Sequence, residues 1–112
     1  MPVVTKEGVQ FGRITPAGFR ILGALEKISR DLNLTLMITS GTDGVHSGPT
    51  DPHYRGEAYD VRSNVYSADQ KGLILAAIVR ELGVDHFFAF LESPGQPNEH
   101  YHVQIRKGTT YP

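Results

Sequence analysis

Two stretches of the chain repeat apolar residues at the spacing of one helix face. The first follows Thr15-Pro16, a hydroxyl that can cap a helix and a proline suited to its first position; its apolar residues are Ile21, Leu25, Ile28 and Leu32. The second follows Ser67, which forms a capping-box pattern with Gln70; its apolar residues are Ile74, Leu75, Ile78, Val79 and Leu82. We predict one helix to about residue 32 and a second that Gly83 ends.

Four shorter segments have the composition of β-strands: residues 34–39, 58–63, 86–92 and 100–106. The last alternates strictly, with His100, His102, Gln104 and Arg106 on one face and Tyr101, Val103 and Ile105 on the other. We therefore predict an α+β fold, a small mostly antiparallel sheet with the helices on one face and a cleft on the histidine face. Residues 40–52 are rich in glycine and proline, so we predict a loop there, and loops of this length are often functional.

Size and composition limit the classes of function. At 112 residues the chain is expected to form a single domain, residues 1–112. With 11 Lys+Arg against 12 Asp+Glu and no basic run, we expect no nucleic-acid partner. The longest apolar stretch, residues 73–79, is too short to span a bilayer, and no secretory signal is recognisable, so no membrane partner is expected. Without cysteine, any metal must be held by imidazole and carboxylate groups.

Candidate metal-binding chemistry is concentrated between His53 and Asp60 and between Glu99 and His102. Two imidazole nitrogens and one carboxylate form a three-ligand zinc set that leaves a position for water, and a nearby glutamate can accept the proton of that water. His53 and Asp60 have an odd separation, so they can converge only if the chain turns between them, and Gly56 would permit that turn. This inventory is typical of a metallohydrolase.

The spacing leaves some assignments open. Either His100 or His102 could be a ligand, with the other contacting the ligands or the substrate. Glu99 adjoins the last histidines, whereas Glu92 closes the preceding strand, and spacing alone does not choose the general base between them. His86, which precedes a run of phenylalanines, is interpreted as a structural histidine. A two-histidine, one-carboxylate set also occurs in non-haem iron oxygenases, although the adjacent glutamate and the odd spacing disfavour iron.

The two segments resemble a known superfamily. The pattern of His53, Gly56, Ala58 and Asp60, followed by Glu99-x-x-His102, is similar to that of the zinc D-alanyl-D-alanine peptidases that trim bacterial cell-wall peptides, including dipeptidases and phage endolysins. It also resembles their animal relative, the hedgehog signalling domain, over about residues 43–107. That part of the resemblance includes His46, the phrase around His53, and Glu92-Ser93 ahead of the His-x-His segment.

The resemblance implies zinc bound by His53, Asp60 and His102. It implies Glu99 as the catalytic base if the peptidase pattern is followed and Glu92 if the hedgehog pattern is followed, and His46 as the residue that stabilises the oxyanion. We predict Glu99 as the base, because it lies next to the last histidines. His100, Glu92 and Arg55 are further candidates for contacts with the ligands or the substrate.

The resemblance also implies an activity and a substrate. The expected function is hydrolysis of an amide bond in a small peptide, most simply a peptidoglycan stem peptide with D-amino acids. The expected location is the cytoplasm, or release at lysis if a phage encodes the chain. The alternative is a hedgehog-like binding module that keeps zinc without turnover. The hedgehog calcium cluster is mostly missing, with Asp43 its one clear remnant, so no calcium is expected.

Overall fold

The computed structural model describes residues 3–43, 52–53, 55–109 and 111, which form a five-stranded sheet and two helices. Helix α1 spans Pro16–Leu32, and the side chain of Thr15 accepts a hydrogen bond from the Gly18 N–H. Helix α2 spans Ala68–Leu82 and begins with the predicted capping box of Ser67 and Gln70. Both predicted helices are therefore confirmed, including Gly83 at the end of α2. Neither helix is both long and apolar enough to cross a membrane.

The sheet contains strands β1 (Val3–Thr5), β2 (Leu36–Ser40), β3 (Ala58–Arg62), β4 (Phe87–Glu92) and β5 (His100–Ile105). Their spatial order is β1-β2-β3-β5-β4. Only β1 and β2 pair in parallel, whereas the other three pairings are antiparallel. The predicted α+β fold with a mostly antiparallel sheet is thus confirmed. β1 was not predicted, because three residues at a sheet edge are too few to show an alternating pattern.

One face of the sheet packs against the helices. The burial of β5 alternates along the strand, and Tyr101, Val103 and Ile105 are the buried residues. They belong to one core cluster with Tyr59 and Val61 of β3 and with apolar residues of both helices, which include Ile21, Leu25, Ile28, Ile74 and Ile78. Burying a large aliphatic side chain stabilises the fold by about 1.5–3 kcal/mol, so this face holds the strand register.

The opposite face of the sheet carries polar and aromatic side chains in rows that cross the strands. In one row, Phe90 of β4 pairs with His102 of β5, which pairs with Asp60 of β3. In the next row, Glu92 pairs with His100, which pairs with Arg62. Because the core face keeps the register, these two rows are held side by side on the face that the helices leave open.

Candidate metal centre

His53, Asp60 and His102 come together on this open face. Asp60 and His102 reach it from neighbouring antiparallel strands, where they are direct partners. His53 reaches it from a tight turn before β3, in which the Gly56 N–H donates to the His53 carbonyl at 3.0 Å. Gly56 has a φ of 71°, and a Cβ there would lie 1.9 Å from the Arg13 carbonyl oxygen. The turn that was predicted at Gly56 is therefore present, and only glycine fits it.

The distances between the candidate donor atoms suit one small metal ion. His53 Nε2 lies 3.3 Å from Asp60 Oδ1, and His102 Nδ1 lies 3.1 Å from the same oxygen. All three donor atoms are within 4.8 Å of one another. Zinc–ligand bonds of about 2.0–2.1 Å place the donors of a tetrahedral site roughly 3.3 Å apart. The three residues could therefore bind a metal with little rearrangement.

Each histidine uses its other ring nitrogen to contact a hydrogen-bond acceptor. His53 Nδ1 lies 3.1 Å from the Gly41 carbonyl oxygen, and His102 Nε2 lies 2.7 Å from Gln104 Oε1. The Gln104 amide is itself oriented, because its Nε2 donates to the Ile105 carbonyl at 2.9 Å. These acceptors place the ring proton away from Asp60, so the nitrogens facing Asp60 are the ones that can hold a metal.

The charge of the centre is set by Asp60. Burial by itself would raise the pKa of this carboxyl, but hydrogen bonds with His102 and His53 outweigh burial and hold the pKa well below its usual range. Burial would likewise lower the pKa of His102, but the hydrogen bond with Asp60, followed by the one with Gln104, raises it. Asp60 is thus an anion at neutral pH, and a bound metal ion would displace the second ring proton that the charged form of His102 directs at Asp60.

A second donor group adjoins the first and shares Asp60 with it. It consists of Asp60, Glu92 and His100, whose donor atoms also lie within 4.8 Å of one another. His100 Nε2 is 2.9 Å from Glu92 Oε1 and 3.5 Å from Asp60 Oδ1. His100 Nδ1 is 2.7 Å from the Asn98 carbonyl oxygen. The strand pattern did not decide which of the two histidines is a ligand. In the structure, His102 belongs to the donor set with His53 and Asp60, and His100 belongs to the group with Glu92.

The carboxylate of Glu99 is bound outside the two donor groups. This buried carboxylate accepts hydrogen bonds from the Gly95 N–H at 2.8 Å and from Ser63 Oγ at 2.7 Å, and forms an ion pair with Lys71 of α2 at 2.8 Å. The Gly95 bond first, and then Lys71 and Ser63, lower the pKa of Glu99 to about 2. Glu99 precedes β5, and it belongs to neither donor group. Of these two glutamates, Glu92 is therefore the one that belongs to a donor group.

Of the other candidate residues, the structure describes Arg55 and His86. Arg55 is exposed and forms an ion pair with Glu57 at 3.0 Å. His46 lies outside the described residues. His86 is exposed and packs edge-on against the Tyr111 ring.

Two features of the centre were not predicted. Gln104 lies on the same strand face as His102, so the alternating pattern placed it there, but nothing in the sequence showed that it would orient the imidazole. Phe90 of β4 lies beside His102, with ring centroids 5.4 Å apart, and Phe88 stacks against Phe90. One side of the centre is therefore aromatic.

The other side of the centre opens into a cleft of about 290 Å³ that crosses the open face of the sheet. Its lining is predominantly polar and comes from strands β2, β3 and β5, from single residues that follow β1 and β3, and from the loop between β4 and β5: Lys6, Thr39, Ser40, Asp60, Arg62, Asn64, Pro97, Asn98, Glu99 and His100. Asp60 and His100 connect the cleft with the donor groups. A molecule bound there would therefore lie directly against the candidate metal centre.

The evidence for function comes from this geometry. Comparison of the chain with known protein families, with characterised proteins and with solved structures gave no match.

Proposed function

We propose that this protein is a zinc metallopeptidase that hydrolyses an amide bond in a small peptide. The observation that carries the proposal is the convergence of His53, Asp60 and His102, with the second nitrogen of each histidine held by its own acceptor. Such outer contacts orient ligands in catalytic metal sites. The proposed substrate, a cell-wall peptide with D-amino acids, rests on the resemblance of the two histidine-containing segments to peptidases that trim such peptides.

Zinc suits this donor set. Two imidazoles and one carboxylate are a common catalytic zinc set, and three protein ligands leave a coordination position for substrate or water. In such sites zinc supplies polarisation of the scissile carbonyl and promotes ionisation of a water molecule. The role of Asp60 is to balance the charge of the metal, and Gly41 and Gln104 keep the two imidazoles in the required tautomers.

Glu92 is the proposed general base. Its carboxylate lies 2.9 Å from His100 and 3.9 Å from His102, so it borders the donor set while half of its side chain remains exposed. It would accept a proton from the attacking water and deliver that proton to the leaving amine. Glu99 is less suited, because its carboxylate already accepts three polar contacts outside the two donor groups.

His100 is proposed to act beside Glu92. Because the Asn98 carbonyl accepts a hydrogen bond from Nδ1, the Nε2 atom is directed at both Glu92 and Asp60. In its charged form, in which both ring nitrogens carry a proton, His100 can position the Glu92 carboxylate or donate a hydrogen bond to the oxygen of a bound carbonyl. His46, as the oxyanion-stabilising residue that the resemblance implies, remains a proposal that a His46→Ala variant would test.

The test has two parts. Protein purified without added metal is analysed for zinc and iron, and the zinc-loaded protein is then incubated with purified muropeptides whose products are identified by mass spectrometry. One zinc per chain and a product shortened at one amide bond are expected. Protein treated with a chelator should be inactive, and zinc should restore the activity.

Other outcomes would assign other functions. Bound iron without peptide cleavage would point to oxygenase chemistry. Stoichiometric zinc with intact muropeptides would replace the peptidase with a zinc-containing binding module.

A further inference from the structure

Two basic residues border the cleft beside the candidate metal centre. Arg62 is the direct cross-strand partner of His100, and it lies two positions after Asp60 on the same face of β3. Lys6 follows β1 and lines the same cleft from the other edge of the sheet. A molecule that reached the metal centre through the cleft would pass both cations.

The acidic residues that line the cleft already have ionic or hydrogen-bonding partners. Asp60 faces His53 and His102 in the donor set. The carboxylate of Glu99 is bound by Lys71, Ser63 and the Gly95 N–H. Within the described part of the chain, neither Lys6 nor Arg62 has a carboxylate within 4.0 Å. The cleft therefore carries positive charge for which these residues supply no counter-charge.

The two sides of the centre differ in chemistry. Phe88 and Phe90 of β4 flank His102 on one side, where they offer an apolar surface. Arg62 and Lys6 lie on the other side, together with neutral hydrogen-bonding groups such as Asn64 and Asn98. A guanidinium matches a carboxylate with two parallel hydrogen bonds, and the lysine ammonium adds a second charge.

Building on the proposed peptidase function, we propose that Arg62 and Lys6 bind a carboxylate of the peptide substrate. The carboxylate would lie over β3, beside His100, while the scissile amide reaches the donor set. It could be the C-terminal carboxylate of the peptide or the carboxylate of an acidic residue within it. The first would make the enzyme act at peptide ends, whereas the second would permit cleavage inside a chain.

The experiment measures binding of paired peptides to zinc-loaded protein by calorimetry. A Glu92→Gln background is used so that bound peptide is not consumed. The first pair is N-acetyl-L-Lys-D-Ala-D-Ala as the free acid and as the C-terminal amide. The second pair carries an internal D-glutamate or its α-amide, with the C-terminus amidated in both. Each pair is measured with Arg62→Gln, Arg62→Lys and Lys6→Gln. The matched control is Arg80→Gln, at an exposed position of α2.

We expect one acid to bind more tightly than its amide. Arg62→Gln should weaken binding of that acid roughly 10-fold or more, since a hydrogen bond to a charged group is lost, and should leave amide binding and zinc content unchanged. Arg62→Lys should restore part of the affinity, and Lys6→Gln should have a smaller effect than Arg62→Gln. Arg80→Gln should change neither affinity. The pair that shows the difference identifies which carboxylate is bound.

Equal affinity for acid and amide in both pairs would overturn the proposal, as would a preference that survives in Arg62→Gln or no measurable binding of any peptide. The muropeptide digestion is a separate readout. If wild-type protein yields no products but binding of the acid depends on Arg62, the peptidase proposal fails and the carboxylate site stands.

Discussion

The Nδ1 atom of His102 lies 3.1 Å from Oδ1 of Asp60, its direct cross-strand partner. Direct partners in antiparallel strands place their side chains on the same face, with Cβ atoms about 4.5–5.5 Å apart. The register of β3 and β5 therefore positions two of the three candidate ligands, and neither of them depends on a loop. Only His53 depends on a turn, and the packing of Tyr59, Val61, Tyr101 and Val103 in the core keeps the register that the other two need.

Asp60→Ala should abolish stoichiometric zinc binding, because it removes the one anionic donor of the set. Loss of an outer contact alone typically weakens metal affinity about 10- to 100-fold, so loss of this ligand should exceed that range. Metal analysis after dialysis checks the stoichiometry, and Asp85→Ala in an exposed loop is the matched control. Full zinc occupancy in Asp60→Ala would show that the ligand set is wrong.

Gln104→Ala should weaken zinc binding by about 10- to 100-fold, because His102 Nε2 loses the acceptor that orients the ring. Gln104→Glu keeps an acceptor at that position and should retain most of the affinity. Competition titration with a chromophoric chelator measures both variants, and Gln96→Ala in the exposed loop after β4 is the control. Unchanged affinity in Gln104→Ala would argue that His102 binds the metal through its other nitrogen or not at all.

Glu92→Gln should retain zinc and lose activity by roughly 100- to 10,000-fold, as expected when a positioned general base is removed. Glu99→Gln should affect activity much less, since Glu99 belongs to neither donor group. Initial rates on the cleaved muropeptide, with zinc content measured in parallel, compare the two variants. The reverse result, with the large loss in Glu99→Gln, would restore Glu99 as the base.

Gly56→Ala should destabilise the protein by about 1–3 kcal/mol or more, because φ is 71° and the new Cβ would meet the Arg13 carbonyl oxygen. Zinc affinity should fall as well, since His53 lies in the same turn. Gly108→Ala is a matched control with a φ of 81° and open space around the position of its Cβ. Urea denaturation should show a smaller loss for the control, and equal losses would mean that the contact with Arg13 is unimportant.

Glu99 should contribute to the acid sensitivity of the fold. Its pKa in the folded protein is about 2, below the ordinary value of 4.5, because Gly95, Lys71 and Ser63 stabilise the charged form. Since folding lowers this pKa, the contribution is fully present above about pH 4.5 and is lost as pH falls toward 2. In metal-free protein, Glu99→Gln should be less stable at pH 7 and should lose less stability over that window. Urea midpoints at several pH values test this, and Glu26→Gln, at an exposed position of α1, is the control. Parallel curves of stability against pH for wild type and Glu99→Gln would contradict the prediction.

The sequence by itself determined where the two helices and four of the strands lie and which residues of β5 share a face. Helix caps at Thr15 and Ser67 and the strict alternation of β5 are local signals, because they depend on residues only a few positions apart. The same local logic predicted that Gly56 turns the chain between His53 and Asp60. The short strand β1 carries too few residues for such a signal.

Only the tertiary structure decided which of the nearby polar residues share a site. Glu92 and Glu99 both lie close to the histidines in the sequence, but the pairing of β4 with β5 brings Glu92 to His100. The Glu99 carboxylate is paired instead with Lys71 of α2. Strand pairing and helix packing join residues that are distant along the chain, so no local pattern could reveal that Gln104 orients His102 or that Arg62 and Lys6 border one cleft.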